Sequence, residues 1–418
     1  MNPDFKPRIR GLEISRFSEN GADYFHFHDP QKIAPDVSLS ASLAPILALF
    51  DGTHTVHDIW QIISRQDPEL PLAWLEELVE NMDSHFLLNS PHFRAEKTRV
   101  EAEFVQNPTR GAAFAGLSYP EKRKELREFL GAKLEIGQKR LAAPVYDAQN
   151  VRAVVTPHID FHRGGHVEAA SYGPLVENVR ATGKPFDTFV VLGIAHSGVH
   201  YPFCGADKDF ATPLGTMNCD REFVADLENA LGEPFLAEQF AHKDEHSIEF
   251  AAVWAQFYEE LSPSRIVPIL CGGFWDALRT KKRPEIAQSE VKNFIETLRE
   301  TVQKHEAAGK KIGFIVSVDG AHVGTQFGDE TPITPQKLKE IEFADRRWCA
   351  AAQAGNLDEF HAHFAADENR FNVDAHPAIY TLLAAFPQFR GQLLDYDQAF
   401  NAPRNIVVSF ASMAFFNV

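Results

Sequence analysis

From residue 151 onward the chain alternates short runs of β-branched and aliphatic residues, almost free of charge, with longer helical stretches. Runs of that kind suit buried strands, so the pattern predicts an α/β domain. The runs are Val151–Val155, Thr188–Gly193, Arg265–Leu270, Ile312–Val318 and Asn405–Phe410. Ligands of α/β sheets gather beyond the carboxyl ends of strands, where loops leave the ladder and converge. Three of these five runs are followed closely by a histidine: His158, His196 and His322.

A neutral imidazole offers a metal a lone pair without adding charge. A single loop histidine is more often structural or solvated, and it is the shared position past strand ends that singles out these three. They are expected to converge on one divalent metal and to leave coordination positions open for substrate or water. Asp160, in PHIDFHRGGH, is expected either to accept a hydrogen bond from a ligating imidazole or to pair with Arg163 across the loop. KDEHSIEF reads as a helix start with Asp244 as N-cap. There His246 and Glu249 are i, i+3 neighbours suited to proton transfer, while Glu245 reads as a first-turn acid that favours the helix dipole. Asp319 and His322 bracket a Gly-Ala turn and are expected to face one crevice. His376 precedes Pro377, which biases it away from helix and onto a loop, as a substrate contact or a cap.

A chain of 418 residues exceeds the usual size of one core, and its character changes near residue 95. The expected division is an accessory domain at 1–95, a linker at 96–107 and the metal-binding domain at 108–418. The first carries two short strands, Gly11–Phe17 and Asp23–His28, then helical stretches at Leu43–Phe50, at Val56, Ile59, Ile62 and Ile63 behind an N-cap at Thr55, and at Leu72–Phe86. Strands followed by small helices predict an α+β, winged-helix-like module. The charge-rich stretch 92–150 reads as linker followed by a solvated amphipathic helix.

Aspartate and glutamate outnumber lysine and arginine 58 to 41, a net charge of −17, which repels phosphate backbones and anionic headgroups. Nucleic acid and membranes are therefore not expected partners. No run approaches the roughly eighteen apolar residues of a membrane span, and MNPDFKPRIRGLEISRF has no apolar core behind its basic residues, so a cytoplasmic protein is expected. Four widely spaced cysteines, without a C-x-x-C pair, read as reduced thiols. There is no G-x-S-x-G elbow, P-loop, H-E-x-x-H helix or G-x-G-x-x-G after a strand.

TPHIDFHRGG, VLGIAHSG, DEHSIEF, SVDGAHVG and AHPAIYTLL occur in that order, with AFAGLSYP ahead of them at 113–120. This series resembles the Memo family, and most of all the bacterial type called AmmeMemoRadiSam system protein B, over residues 108–418. The resemblance implies a fold similar to the class III extradiol dioxygenases, with a pocket that holds iron or copper. It places His158, His196 and His322 at the metal and Asp160, His246, Asp319 and His376 around it. Two departures stand out. Ser197 replaces a second histidine common after G-x-x-H, and no cysteine lies between Asp395 and Ser409. Without that thiolate, iron becomes the first candidate metal, with zinc and copper behind it. LALFDGTHTVHDIWQII and LVENMDSHFLL, within 47–88, resemble the small PqqD-like domains that recognise peptides. A helical accessory domain without a peptide ligand is the alternative.

The expected function is a metal-dependent oxidoreductase acting on a small or peptide-borne substrate, with His246 or His376 moving protons. Expected partners include a radical enzyme or a precursor peptide of the same system. Two alternatives are a non-catalytic scaffold or peptide-binding component and a zinc-dependent hydrolase with His246 or Glu249 as base.

Overall fold

The computed structural model describes residues 4–141, 143–231 and 235–418. The chain divides into two compact units, Met1–Asn107 and Pro108–Val418. Among the described residues no helix is long and apolar enough to cross a membrane, and all four cysteines are free and buried.

The first unit opens with an antiparallel sheet, β1 (Glu13–Glu19), β2 (Ala22–His28) and β3 (Val37–Ser40), in the order β1-β2-β3. Asn20 and Gly21 turn β1 into β2 with φ of 51° and 79°, the left-handed pair that tight hairpins require. Helices Val56–Ile63 and Leu72–Ser84 pack Ile59, Leu75, Val79 and Met82 onto Phe27 and Phe50. Thr55 caps the first of these in a reciprocal box with Asp58. The expected linker at 96–107 is instead largely helix, the second half of Pro91–Gln106. Ser90 caps that helix, Pro91 fills its first position, and Arg99 pairs with Glu96 and Glu103 at helical spacing. Its charge density belongs to a solvated helical face.

The second unit contains two sheets. β4 (Thr109–Arg110), β8 (Asp209–Thr212) and β9 (Gly215–Met217) form the smaller one. The main sheet is built from β5 (Val151–Thr156), β6 (Thr188–Ile194), β7 (Phe203–Gly205), β10 (Arg265–Cys271), β11 (Ile312–Ser317), β12 (His322–Gly324), β13 (Phe389–Asn401) and β14 (Ile406–Asn417). Its order is β12-β14-β5-β11-β6-β10-β7, with β13 paired to β14. β5, β11, β6 and β10 are mutually parallel, whereas β14 runs antiparallel to β5. The fifth expected strand, Asn405–Phe410, is therefore longer than its apolar run and points the opposite way.

The parallel strands alternate between two cores. Val155, Leu192, Ile269 and Phe314 meet helices Arg221–Leu231, Ser289–Ala307, Pro335–Gln353 and Ala375–Ala385. Val154, Val191, Leu270 and Ile315 meet helices Arg123–Gln138, Phe161–Ser171, Gly173–Thr182 and His246–Phe257. Burial on both faces is what removes charge from these runs. The helix Arg123–Gln138, expected to be solvated, buries Leu126 and Leu130. Gly137 permits its close approach, since a Cβ there would stand 2.2 Å from the His166 carbonyl oxygen.

One buried ion pair anchors the segment after β4 to the start of helix His246–Phe257. Arg110 pairs with Glu249, and both side chains are only 1% exposed. Arg110 also donates to the carbonyls of His242 and Glu245, at 3.0 and 2.7 Å. Glu249 accepts from Tyr119 and from the main-chain N–H groups of Ala113 and Phe114, each of the latter at 2.9 Å. Removing one member leaves an uncompensated charge in the interior. Glu249→Ala is expected to cost about 3–5 kcal/mol, measured as a lowered thermal midpoint. An unchanged midpoint would contradict this anchoring role.

Candidate metal centre

β5 delivers His158 two residues past its end, and the side chain is buried. Its Nδ1 lies 2.9 Å from the carbonyl oxygen of Ser317, at the end of the neighbouring β11. A carbonyl only accepts, so Nδ1 carries the proton and Nε2 is the lone-pair nitrogen of the neutral ring. β6 delivers His196 two residues past its end. The Nδ1 of His196 lies 3.0 Å from Glu245, which also accepts the His196 main-chain N–H at 3.0 Å. A carboxylate likewise only accepts when charged, so His196 turns Nε2 away from it as the free nitrogen.

Glu245 is itself buried and caps helix His246–Phe257 by accepting from Ser247 N at 2.9 Å. His246 begins that helix, with Nδ1 3.3 Å from the same carboxylate. The three rings stand with centroids 5.0, 5.0 and 4.5 Å apart, and one ligand atom from each lies within 4.8 Å of the others.

Asp374 closes the other side. Its Oδ2 is 3.0 Å from His158 Nε2 and 3.8 Å from His196 Nε2, and its Oδ1 accepts from Asp319 N at 2.7 Å. With Nδ1 of His158 already a donor, Nε2 and the carboxylate oxygen face each other as two lone pairs unless a positive charge lies between them. A proton or a metal cation satisfies that arrangement. Burial pushes the Asp374 carboxyl up, but the His158 ring outweighs it and holds the group well below the usual carboxylate range. Burial pulls His196 down, and the Glu245 charge overrides it and raises the ring well above its ordinary value. His246, crowded by burial and by His196, is pulled well below. Three nitrogens with carboxylates behind them form a donor set that fits a borderline divalent cation.

Not every residue expected at the metal lies in this group. His322 is outside it: Nδ1 sits 3.1 Å from the carbonyls of Gly320 and Asn372, and the ring stands edge-on to Phe327. The cause is the turn after β11. Ser409 accepts the N–H groups of Gly320 and Ala321, at 2.7 and 2.6 Å, and draws the chain onto β14, so His322 opens a new strand. Asp319 accepts the N–H groups of His158 and Ile159 and so fixes the loop that bears His158. Asp160 caps helix Phe161–Ser171 through His162 N. Glu249 is engaged by Arg110 and Tyr119 as described. His376 sits inside the first turn of helix Ala375–Ala385, where Pro377 needs no hydrogen-bond donor, and not on a loop. Burial pulls the His376 pKa down to about 3.

A cavity of about 450 Å³ adjoins the cluster, lined by His196, Asp374 and His376 together with Tyr201, Phe274 and Trp275. Asp374 and Glu245 are the contributors that sequence reasoning missed. Asp374 had one available signal, its place just ahead of the helix that begins at Ala375.

Gly320 tests how the turn is held. A Cβ there would stand 2.4 Å from Ser409 Oγ and 2.9 Å from the Ser409 carbonyl oxygen. Gly320→Ala is expected to lower stability by about 1–3 kcal/mol through overpacking, read in chemical denaturation. A neutral effect would show that the turn is not pinned to β14.

Comparison with known proteins agrees with this architecture. The Memo-like protein family matches residues 110–414. A MEMO1 family protein of Aquifex aeolicus is 26% identical over 416 residues, covering 98% of this chain and 100% of that protein. One from Thermus thermophilus is 23% identical over 343 residues, covering 82% of this chain and 93% of its own. One from Methanocaldococcus jannaschii is 33% identical over 175 residues, covering 41% and 59%. With the family match running from β4 into β14, the chain belongs to the Memo-like protein family.

Proposed function

We propose that the second unit is a metal-dependent enzyme in which His158, His196 and His246 hold one divalent cation, ferrous iron being the first candidate. The adjoining cavity would receive a small or peptide-borne substrate for oxidoreductase chemistry. The observation that carries this reading is the convergence of three imidazoles, two of them with Nδ1 committed to Ser317 and Glu245. Such partners orient ligating rings and raise their basicity. Held by His158, His196 and His246, ferrous iron would supply a Lewis acid and a one-electron redox partner.

The chain's own groups do the rest. Asp319 and Ser317 hold the His158 loop in place, and Glu245 holds both His196 and the helix that starts at His246. Asp374 faces the nitrogen donors and balances positive charge. His322 has Nδ1 committed to the main-chain carbonyls of Gly320 and Asn372, and Asn372 lines the cavity. His376, which lines the cavity, would be the group there to donate or accept a proton.

The same nitrogen donors suit zinc. A hydrolytic reading, however, loses Glu249 as its base, because Arg110, Tyr119 and two main-chain N–H groups occupy that carboxylate. The three-imidazole group contains no thiolate, which weighs against copper chemistry that depends on one.

Elemental analysis after anaerobic purification is expected to find about one iron per chain. Protein that carries no metal and retains none after iron reconstitution would contradict the reading and favour a non-catalytic component. Zinc without oxygen consumption would favour hydrolysis.

A further inference from the structure

The cavity beside the cluster has an unusual charge balance. Among its lining residues the one carboxylate is Asp374, and no lysine or arginine contributes. The basic groups in the lining are the imidazoles of His196, His200 and His376. The walls are largely apolar, and Trp275 stands exposed within the lining. Gly273 accommodates that ring, since a Cβ there would lie 2.3 Å from the Trp275 indole nitrogen.

The polar group set deepest among apolar neighbours is His376. Its ring stacks on Phe360 at 5.9 Å, meets Phe274 edge-on at 5.8 Å, and lies 4.9 and 5.9 Å from the rings of Phe364 and Tyr380. Those four rings fix its plane. Its Nε2 is 3.1 Å from Nδ1 of His361, which is buried on helix Leu357–Ala365. One ring must donate and the other accept across that distance, so the link couples the tautomer of one ring to that of the other. It leaves Nδ1 of His376 as the nitrogen not engaged by His361.

We propose that His361 is a positioning residue for His376, and that the pair gives the cavity an uncharged hydrogen-bonding pole that selects a neutral, largely apolar ligand over an anionic one. The proposal rests on the reading above for the cavity being the substrate site, but not for the metal. An imidazole whose tautomer is coupled to that of a second imidazole donates or accepts without carrying charge. Surrounding aromatic rings keep water from competing for it. His376 then engages the polar group of the ligand while the apolar walls take the rest, which sets orientation as well as binding.

Two probes of the same shape, benzamide and benzoate, test the charge selection. Their binding to the full chain is measured by ligand-observed NMR, with and without bound divalent metal. In the metal-free protein benzamide is expected to bind at least about tenfold more tightly than benzoate, because the carboxylate of benzoate must leave water for a largely apolar cavity that contains Asp374 and no lysine or arginine. His376→Phe is expected to weaken benzamide about tenfold, the worth of one well-placed hydrogen bond. His376→Gln, which restores a hydrogen-bonding group, is expected to recover most of that loss. His361→Phe is expected to weaken benzamide with the fold intact by circular dichroism, and His361→Asn to rescue it. Equal affinity for the two probes in the metal-free chain overturns the proposal. So does benzamide affinity unchanged in His376→Phe, or no benzamide binding at millimolar concentration. Failure of the metal reading alone would leave the metal-free preference for benzamide in place. Failure of this proposal alone would leave metal retention in place.

Discussion

A single buried carboxylate, Glu245, joins the two kinds of element that make the site. It accepts the main-chain and ring N–H groups of His196, which follows a parallel strand, and it caps the helix that His246 begins. Each contact alone is ordinary helix capping or loop bonding. Together they set the distance between two imidazoles that lie 50 residues apart in sequence. Burial of that charge is tolerated because several donors converge on it. Behind it, Arg110 and Glu249 fasten the same helix start to the segment that opens the unit.

The position of the third histidine follows from the sheet. β5 and β11 are neighbours, so the Ser317 carbonyl at the end of one strand reaches the His158 ring beyond the end of the other. Asp319, just past β11, ties down the His158 main chain, and Asp374 reaches both from the opposite wall. The cluster is thus a product of parallel strand ends plus one helix start. Acidic groups outnumber basic ones around it, a balance that a bound cation would complete.

Much of this was legible in the sequence, and the failures have particular causes. Runs almost free of charge marked the four parallel strands because both faces are covered. His158 and His196 were legible because each follows such a run by three residues. His322 looked equivalent, but Ser409 pulls the Gly320 turn onto β14, a long-range contact with no local signature. His246 was legible as a chemical group but not as a member of the cluster, because a helix start brings it there. Asp374 follows a loop whose Glu368, Asn369 and Asn372 adopt left-handed φ values of 54°, 60° and 49°, which no periodicity marks. β13 escaped notice because its residues are mostly half-buried and polar, while its partner β14 carries the apolar pattern.

The central claim is that His246, and not His322, completes the metal site with His158 and His196. Metal content per chain in His246→Ala and His322→Ala, purified and reconstituted side by side, tests it most directly. The account predicts that His246→Ala fails to retain metal while His322→Ala retains it as the unmodified chain does. Retention by His246→Ala together with loss in His322→Ala would contradict it.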